Sequence, residues 1–272
     1  MSLVPPSSAF APPRNFVRFE RLAGGDAAFG TLRDDTIAVC AGDMFGDVRE
    51  TSERLTLDSV RLLAPTQATK MIGLWNNFAA LAVKLELSHP AHPLYFIKSS
   101  SAFIATGQPI VQPRSYQGRV VFEAELGIVI GKTCKDADEA AAAECIFGYT
   151  CVNDVTAIDV LNEDPTFAQW TRAKSYDTFG VFGPVIATGV DPERLTIKAI
   201  LDGVERQSYA ASDMLLKPIR LVSMLSRDMT LLPGDVIACG TSIGAGKMKI
   251  GSTIEVTIDE IGTLRNTLVQ AP

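Results

Sequence analysis

The chain has 272 residues and a mass of 29.2 kDa, room for one large domain or a main domain with a smaller attachment. Apolar residues make up 47% and charged residues 21%, which removes the compositional case for a disordered chain or a coiled coil. A formal charge of −6 leaves no basic excess to attract nucleic acid or anionic lipid, so an acidic ligand would need a local cation, most compactly a metal ion.

In chain order, Met1 to Pro13 carries four prolines and no apolar signal-like run, and reads as a mobile tail whose Met-Ser-Leu start fits a cloning scar. Phe16–Phe19 and Thr36–Val39, separated by turn clusters such as Gly24-Gly25-Asp26, predict small antiparallel strands. Residues 1–66 therefore read as a small β-rich N-terminal region, and 67–272 as the main domain. Phe78, Leu81, Ala82 and Leu85 recur at helical spacing, which predicts a helix over Asn77–Leu87, stopped before Pro90. The β-branched run Val120–Ile130 predicts one long strand. Asp136–Cys145 predicts a helix with Asp136 as its N-cap, and Phe147–Val152 another strand. Asp202-Gly203 between Ile197–Leu201 and Val204–Tyr209 signals a two-residue hairpin. Pro233-Gly234 turns into Val236–Cys239, and Ser252–Ile258 with Thr263–Val269 form a closing hairpin. Many strands without regular β-α alternation indicate an α+β, mainly β fold. The five cysteines are odd in number and form no C-x-x-C pair, which favours a reduced, cytoplasmic setting, and no apolar run reaches transmembrane length.

Two carboxylates stand out. On a strand, Glu123 and Glu125 share a face with Cα atoms roughly 7 Å apart, where burial and mutual repulsion call for a cation between them. A solvated edge strand is the plainer alternative. Asp154 ends the apolar Phe147–Val152 stretch, as a metal ligand or as an ordinary Asx turn. Three carboxylates with no histidine or cysteine would make a hard oxygen site suited to Mg²⁺, Mn²⁺ or Ca²⁺.

Five blocks, in this order, make a family pattern: Phe122-Glu-Ala-Glu-Leu-Gly-Ile-Val-Ile-Gly131, Phe147-Gly-Tyr-Thr-Cys-Val-Asn-Asp154, Arg172-Ala-Lys-Ser-Tyr-Asp-Thr-Phe179, Met229–Thr241 and Gly262-Thr-Leu-Arg-Asn266. Together they resemble the fumarylacetoacetate hydrolase family over roughly Met71 to Val269. The resemblance implies a β-sandwich roll, a homodimer, a metal held by Glu123, Glu125 and Asp154, and a small 2-oxo or enolic acid as substrate. Reactions of this kind include C–C hydrolysis, decarboxylation and tautomerisation. It further implies Lys174 as the group stabilising a developing enolate, and Thr241 as a substrate-carboxylate ligand. Lys98 lies in the block after the lid, with a surface lysine as the equal alternative.

Two departures bear on mechanism. The family's lid pattern G-L-N-Y-x-x-H-x-x-E aligns with Gly73–Ala82 and puts Ala79 and Ala82 at the histidine and glutamate. The family's arginine and glutamine after Asp154 are Ile158 and Leu161 here, so a carboxylate clamp is lost unless Arg172 or another residue supplies it. His89 and His92 read as a solvated loop or as replacement bases, and Asn76 and Asn77 as residues able to orient a water. A nucleotide site at Gly244-Ala-Gly-Lys247 fails on P-loop spacing. A metal-dependent binding protein without turnover is the non-enzymatic alternative.

Overall fold

A computed structural model describes residues 13–272; the expected tail, apart from Pro13, lies outside the described residues. The chain begins with four meandering strands, β1 (Arg14–Arg21), β2 (Ala28–Arg33), β3 (Thr36–Gly42) and β4 (Val48–Thr56), and a short β5 (Val60–Leu62). Next come β6 (Met71–Trp75), α1 (Ala79–Lys84), β7 (Leu94–Lys98), β8 (Phe103–Ile104), β9 (Ile110–Gln112), β10 (Val120–Phe122) and β11 (Ala124–Ile130). The middle of the chain supplies α2 (Glu139–Cys145), β12 (Ile146–Asp154), β13 (Thr156–Ala157), α3 (Ile158–Leu161), α4 (Trp170–Lys174) and β14 (Gly180–Thr188). The last third contains β15 (Thr196–Leu201), β16 (Val204–Ala210), α5 (Pro218–Asp228), β17 (Val236–Ala238), β18 (Gly246–Lys247), β19 (Thr253–Ile258) and β20 (Gly262–Gln270).

One sheet runs β4-β3-β2-β1-β14-β12-β11-β17-β6-β7. The N-terminal strands thus extend the main sheet, because β1 pairs antiparallel with β14 from Arg14↔Thr188 to Phe16↔Ile186. A second sheet, β16-β15-β19-β20-β9, packs on β11, β12 and β14, so the fold is α+β and mainly β, as expected. All seven residues of β11 are buried, since one face meets the second sheet and the other a cluster containing Phe16, Met71, Val152 and Phe182. A strand covered on both faces loses the apolar–polar alternation of a half-exposed one.

The hairpin at Asp202-Gly203 forms as the dipeptide predicts, with both residues at positive φ (51° and 78°) and β15 paired to β16. Three expectations are corrected. Val120–Ile130 is not one strand: β10 pairs with β13 and β18, β11 pairs with β12 and β17, and Glu123 sits at the break. The helix predicted over Asn77–Leu87 shortens to Ala79–Lys84, because Phe78 is extended (φ −124°, ψ 128°) and Glu86 turns left-handed (φ 54°). Asp138, not Asp136, caps α2 by accepting from Ala141 N–H at 2.8 Å, while Asp136 is itself left-handed. Among the described residues, no helix is long and apolar enough to cross a membrane.

Candidate active site

The break at Glu123 creates the site. Where β10 leaves for its own small sheet, the Glu123 N–H donates to Asn153 Oδ1 at 3.1 Å, and the Glu123 carbonyl accepts from Asp154 N–H at 2.9 Å. Antiparallel pairing of Ala124 with Asn153 and Glu125 with Val152 then sets the end of β12 beside the start of β11. Glu123, Glu125 and Asp154 each present a carboxylate oxygen, all within 4.8 Å of one another. Glu125 and Asp154 are 1% exposed, so an alternating solvated edge does not describe these acids.

Two buried ammonium groups stand against them. Lys174, at the end of α4, donates to Glu123 Oε2 at 2.7 Å and Asp154 Oδ2 at 2.6 Å. Lys98, at the end of β7, pairs with Asp154 Oδ1 and donates to the Val155 carbonyl at 3.2 Å. Burying an unpaired ammonium is costly, which rules out the reading of Lys98 and Lys174 as surface lysines: they are 0% and 2% exposed. Each ammonium has three donors, and Lys174 spends two of them on carboxylates.

The electrostatics follow from this packing. Burial works to lower the Lys174 pKa, but Asp154, Glu123 and Glu125 outweigh it and hold the group above its ordinary value. For Lys98 burial prevails, reinforced by Lys174, and its pKa falls despite Asp154. Asp154 is pushed up by burial, but its two lysines bring it below the ordinary carboxylate value. Burial pushes Glu125 well up, and repulsion from Asp154 and Glu123 adds to it. Glu125 makes no ion pair among the described residues; its bond is from Gly240 N–H, at 2.8 Å to Oε2.

Gly240 reaches that bond through a left-handed backbone (φ 92°), and a Cβ there would lie 3.2 Å from the Leu74 carbonyl. The next residue, Thr241, donates to the Ala124 carbonyl at 2.9 Å and accepts from Gln207 Nε2 at 2.9 Å. Gln207 also accepts from Ala124 N–H at 3.0 Å, and the Tyr209 hydroxyl donates to the Ala124 carbonyl. β16 thus fastens the Thr241 loop to the strand carrying Glu125. Sequence reasoning missed Gln207, although it is the one buried residue between exposed neighbours at Arg206 and Ser208.

The remaining predicted residues lie apart from the cluster. Arg172 is half exposed and pairs with Glu163 at 2.5 Å; its side chain has no hydrogen bond into the cluster. His89 and His92 are exposed. Asn77 is tied to the backbone: its amide donates to the carbonyls of Leu216 (3.3 Å) and Cys239 (2.9 Å) and accepts from Leu216 N–H (2.9 Å), which spends both of its N–H donors. Asn76 donates to the Ser88 carbonyl at 2.9 Å, and its Oδ1 is buried without a partner. α1 carries no imidazole or carboxylate at any position from Ala79 to Lys84, and Ala82 is 1% exposed, facing the core. Lys247 lies exposed in a two-residue strand with no helix after it, so no phosphate loop forms.

The donor set fits a divalent cation. All three converging groups are hard oxygen donors, and three carboxylates, Glu125 and Asp154 buried and Glu123 half-buried, face only two ammoniums, leaving Glu125 without a cation. The family model described as fumarylacetoacetate (FAA) hydrolase C-terminal matches residues 70–269, and one described as Rv2993c-like, N-terminal, matches residues 15–65. The oxaloacetate tautomerase YisK of Bacillus subtilis is 35% identical over 227 residues, 78% of this chain and 74% of its own. The crystal structure of 5-carboxymethyl-2-hydroxymuconate delta-isomerase from Mycobacterium smegmatis is 39% identical, with a TM-score of 0.86 over 94% of this chain and 100% of that one. Maleylpyruvate hydrolase from Sphingobium sp. SYK-6, in complex with manganese(II) and pyruvate, is 26% identical with a TM-score of 0.77 over 95% of this chain and 100% of that one. With the family model covering residues 70–269, which include every residue of this site, the chain belongs to the fumarylacetoacetate hydrolase family.

Proposed function

We propose that the protein is a divalent-metal-dependent enzyme that interconverts the keto and enol forms of a small 2-oxo acid, with Glu123, Glu125 and Asp154 holding Mg²⁺ or Mn²⁺. The observation that carries this reading is the cluster of three carboxylates and two lysines, one positive charge short at Glu125, together with a helix α1 that carries no proton-transfer pair. Bound there, the cation supplies Lewis-acid polarisation of a chelated 2-oxo acid.

The residues of the chain divide the rest of the work. Lys174 has one donor left after Glu123 and Asp154, and directs it at the oxygen on which enolate charge develops. Lys98, fixed by Asp154 and the Val155 carbonyl, adds positive charge from the opposite side of that carboxylate. Gly240 N–H orients Glu125, and the Gln207–Thr241–Ala124 bonds hold the loop that faces the substrate carboxylate. Tautomerisation takes one proton off the enol oxygen and puts one on carbon, both exchangeable with solvent once the enolate charge is stabilised, and it adds no water. Hydrolysis also needs a base to activate water, a role that Ala79 and Ala82 cannot fill.

The names of the tautomerase and isomerase relatives favour the same chemistry. We infer a homodimer from the family resemblance, and no contact with nucleic acid from the acidic charge balance. The test is approach to keto–enol equilibrium by enol oxaloacetate and by enol phenylpyruvate, followed by ultraviolet absorbance with Mg²⁺, Mn²⁺ or chelator present. A metal-dependent acceleration supports the reading. Binding of oxaloacetate to metal-loaded protein without any acceleration would favour the non-enzymatic alternative.

A further inference from the structure

The chain contains two tryptophans, and both stand together beside the site. Trp75 ends β6 and Trp170 opens α4, with ring centroids 5.2 Å apart. Trp170 stacks on Phe96 at 5.5 Å and 14°, and Lys174 Nζ lies 5.0 Å from the centre of the same Phe96 ring. An unbroken aromatic surface therefore runs from the ammonium that touches Glu123 and Asp154 out to Trp75.

Local geometry explains the alignment. Trp170 and Lys174 are four apart on α4 and share a face, and Phe96 and Lys98 are two apart on β7 and share another. Gly73, paired with Phe96 across β6 and β7, makes room for the ring: a Cβ there would come within 2.3 Å of it. Phe96 is buried, whereas Trp75 and Trp170 remain half exposed, so the outer end of the surface is open to a ligand. Trp75 also lines a cavity of about 420 Å³ with Leu87, Leu94 and His92, and no lysine or arginine lines it. The two positions where an arginine could meet a second carboxylate do not serve: one is Ile158, and Arg172 is engaged with Glu163.

We propose that Trp75 and Trp170 are the wall against which the arm of the substrate lies, and that this arm is planar and apolar, an aryl group or conjugated chain, rather than a second carboxylate. This rests on the 2-oxo acid reading and adds the class of its arm. An aromatic face rewards a stacked π-system, and a distal carboxylate would lose water there without gaining a lysine or arginine partner.

Three probes that share one head and do not turn over separate the two readings: oxamate has no arm, N-phenyloxamate has a planar aryl arm, and N-oxalylglycine has a distal carboxylate. Calorimetric titration of Mg²⁺-loaded protein should show N-phenyloxamate binding at least about tenfold tighter than N-oxalylglycine, a difference of about 1.4 kcal/mol. Trp75→Ala should reduce that preference to about twofold, Trp75→Phe should keep most of it, and oxamate, which reaches no wall, should change little in either. Trp170→Ala should match Trp75→Ala; if it fails to fold, the half-exposed Trp75 decides alone. N-oxalylglycine binding as tightly as N-phenyloxamate, or a preference that survives Trp75→Ala, would overturn the inference and leave the 2-oxo acid reading intact. Failure of oxamate itself to bind the metal-loaded wild type would sink both.

Discussion

Replacing Glu125 by glutamine separates what the site costs the fold from what it gives to binding. Its carboxylate is 1% exposed, makes no ion pair, and faces Glu123 and Asp154 across less than 4.8 Å. At an effective dielectric constant of about 20, two like charges about 5 Å apart repel by roughly 3 kcal/mol. Lys174 offsets part of that, so the uncompensated remainder is about 1–3 kcal/mol. Glutamine keeps the shape and still accepts from Gly240 N–H. Metal-free Glu125→Gln should therefore be more stable than metal-free wild type, by about 2–12 °C in Tm at about 2–4 °C per kcal/mol for a chain near this size. Adding Mg²⁺ at about 100 times its Kd should raise the wild type by about 2.7 kcal/mol, or about 5–11 °C, and the variant far less. Thermal unfolding with and without Mg²⁺ reads both effects. A variant less stable than wild type without metal, or equally stabilised by Mg²⁺, would refute the reasoning.

Three further outcomes are expected. Acylpyruvate hydrolysis by the purified protein should fall below the ordinary range of about 1–10³ s⁻¹; a kcat within that range would show that His89, His92 or another group activates water. Installing glutamate at Ala82 should not rescue it, because that side chain points into the core. Asp235→Ala should cost about 3–5 kcal/mol in denaturant unfolding. Asp235 is 0% exposed, pairs with Lys70 and accepts from Thr69 N–H (3.1 Å) and Leu232 N–H (2.9 Å), so it ties the start of β6 to the turn before β17; a loss under 1 kcal/mol would contradict this. Hydrogen exchange over residues 76–93 should be faster than in β11 and β12, because α1 is only six residues long and most side chains there are exposed; equal protection would argue against a lid.

The sequence made the fold class and the carboxylate cluster legible for different reasons. Asp202-Gly203 and Pro233-Gly234 encode their turns locally; β15 and β16 flank the first, and β17 follows the second. Glu123 and Glu125 were readable because charge inside an apolar run is costly unless something compensates it. What compensates it was only partly visible: Lys98 and Lys174 lie 56 and 20 residues from Asp154, and only the strand order β12-β11-β17-β6-β7 and the packing of α4 against β7 and β13 bring them together. The break at Glu123 was hidden because β10 and β11 are both buried and read as one continuous run. Helix α5 was missed although Pro218 opens it and Leu221, Val222 and Leu225 recur at helical spacing. The aromatic wall was invisible for a similar reason: Trp75, Phe96 and Trp170 come from three separate elements, and their contact is purely tertiary.

The central claim is that metal bound at Glu123, Glu125 and Asp154 drives enol–keto exchange of a 2-oxo acid. The most direct measurement is the decay of enol phenylpyruvate absorbance with wild type, Glu125→Gln and Lys174→Ala, each stripped of metal and then reloaded with Mg²⁺. The account predicts decay faster than the uncatalysed rate only for reloaded wild type, with both variants at least about a hundredfold slower, the size expected on removing a main charge-stabilising group. Equal acceleration by metal-stripped wild type, or by either variant after reloading, would contradict it.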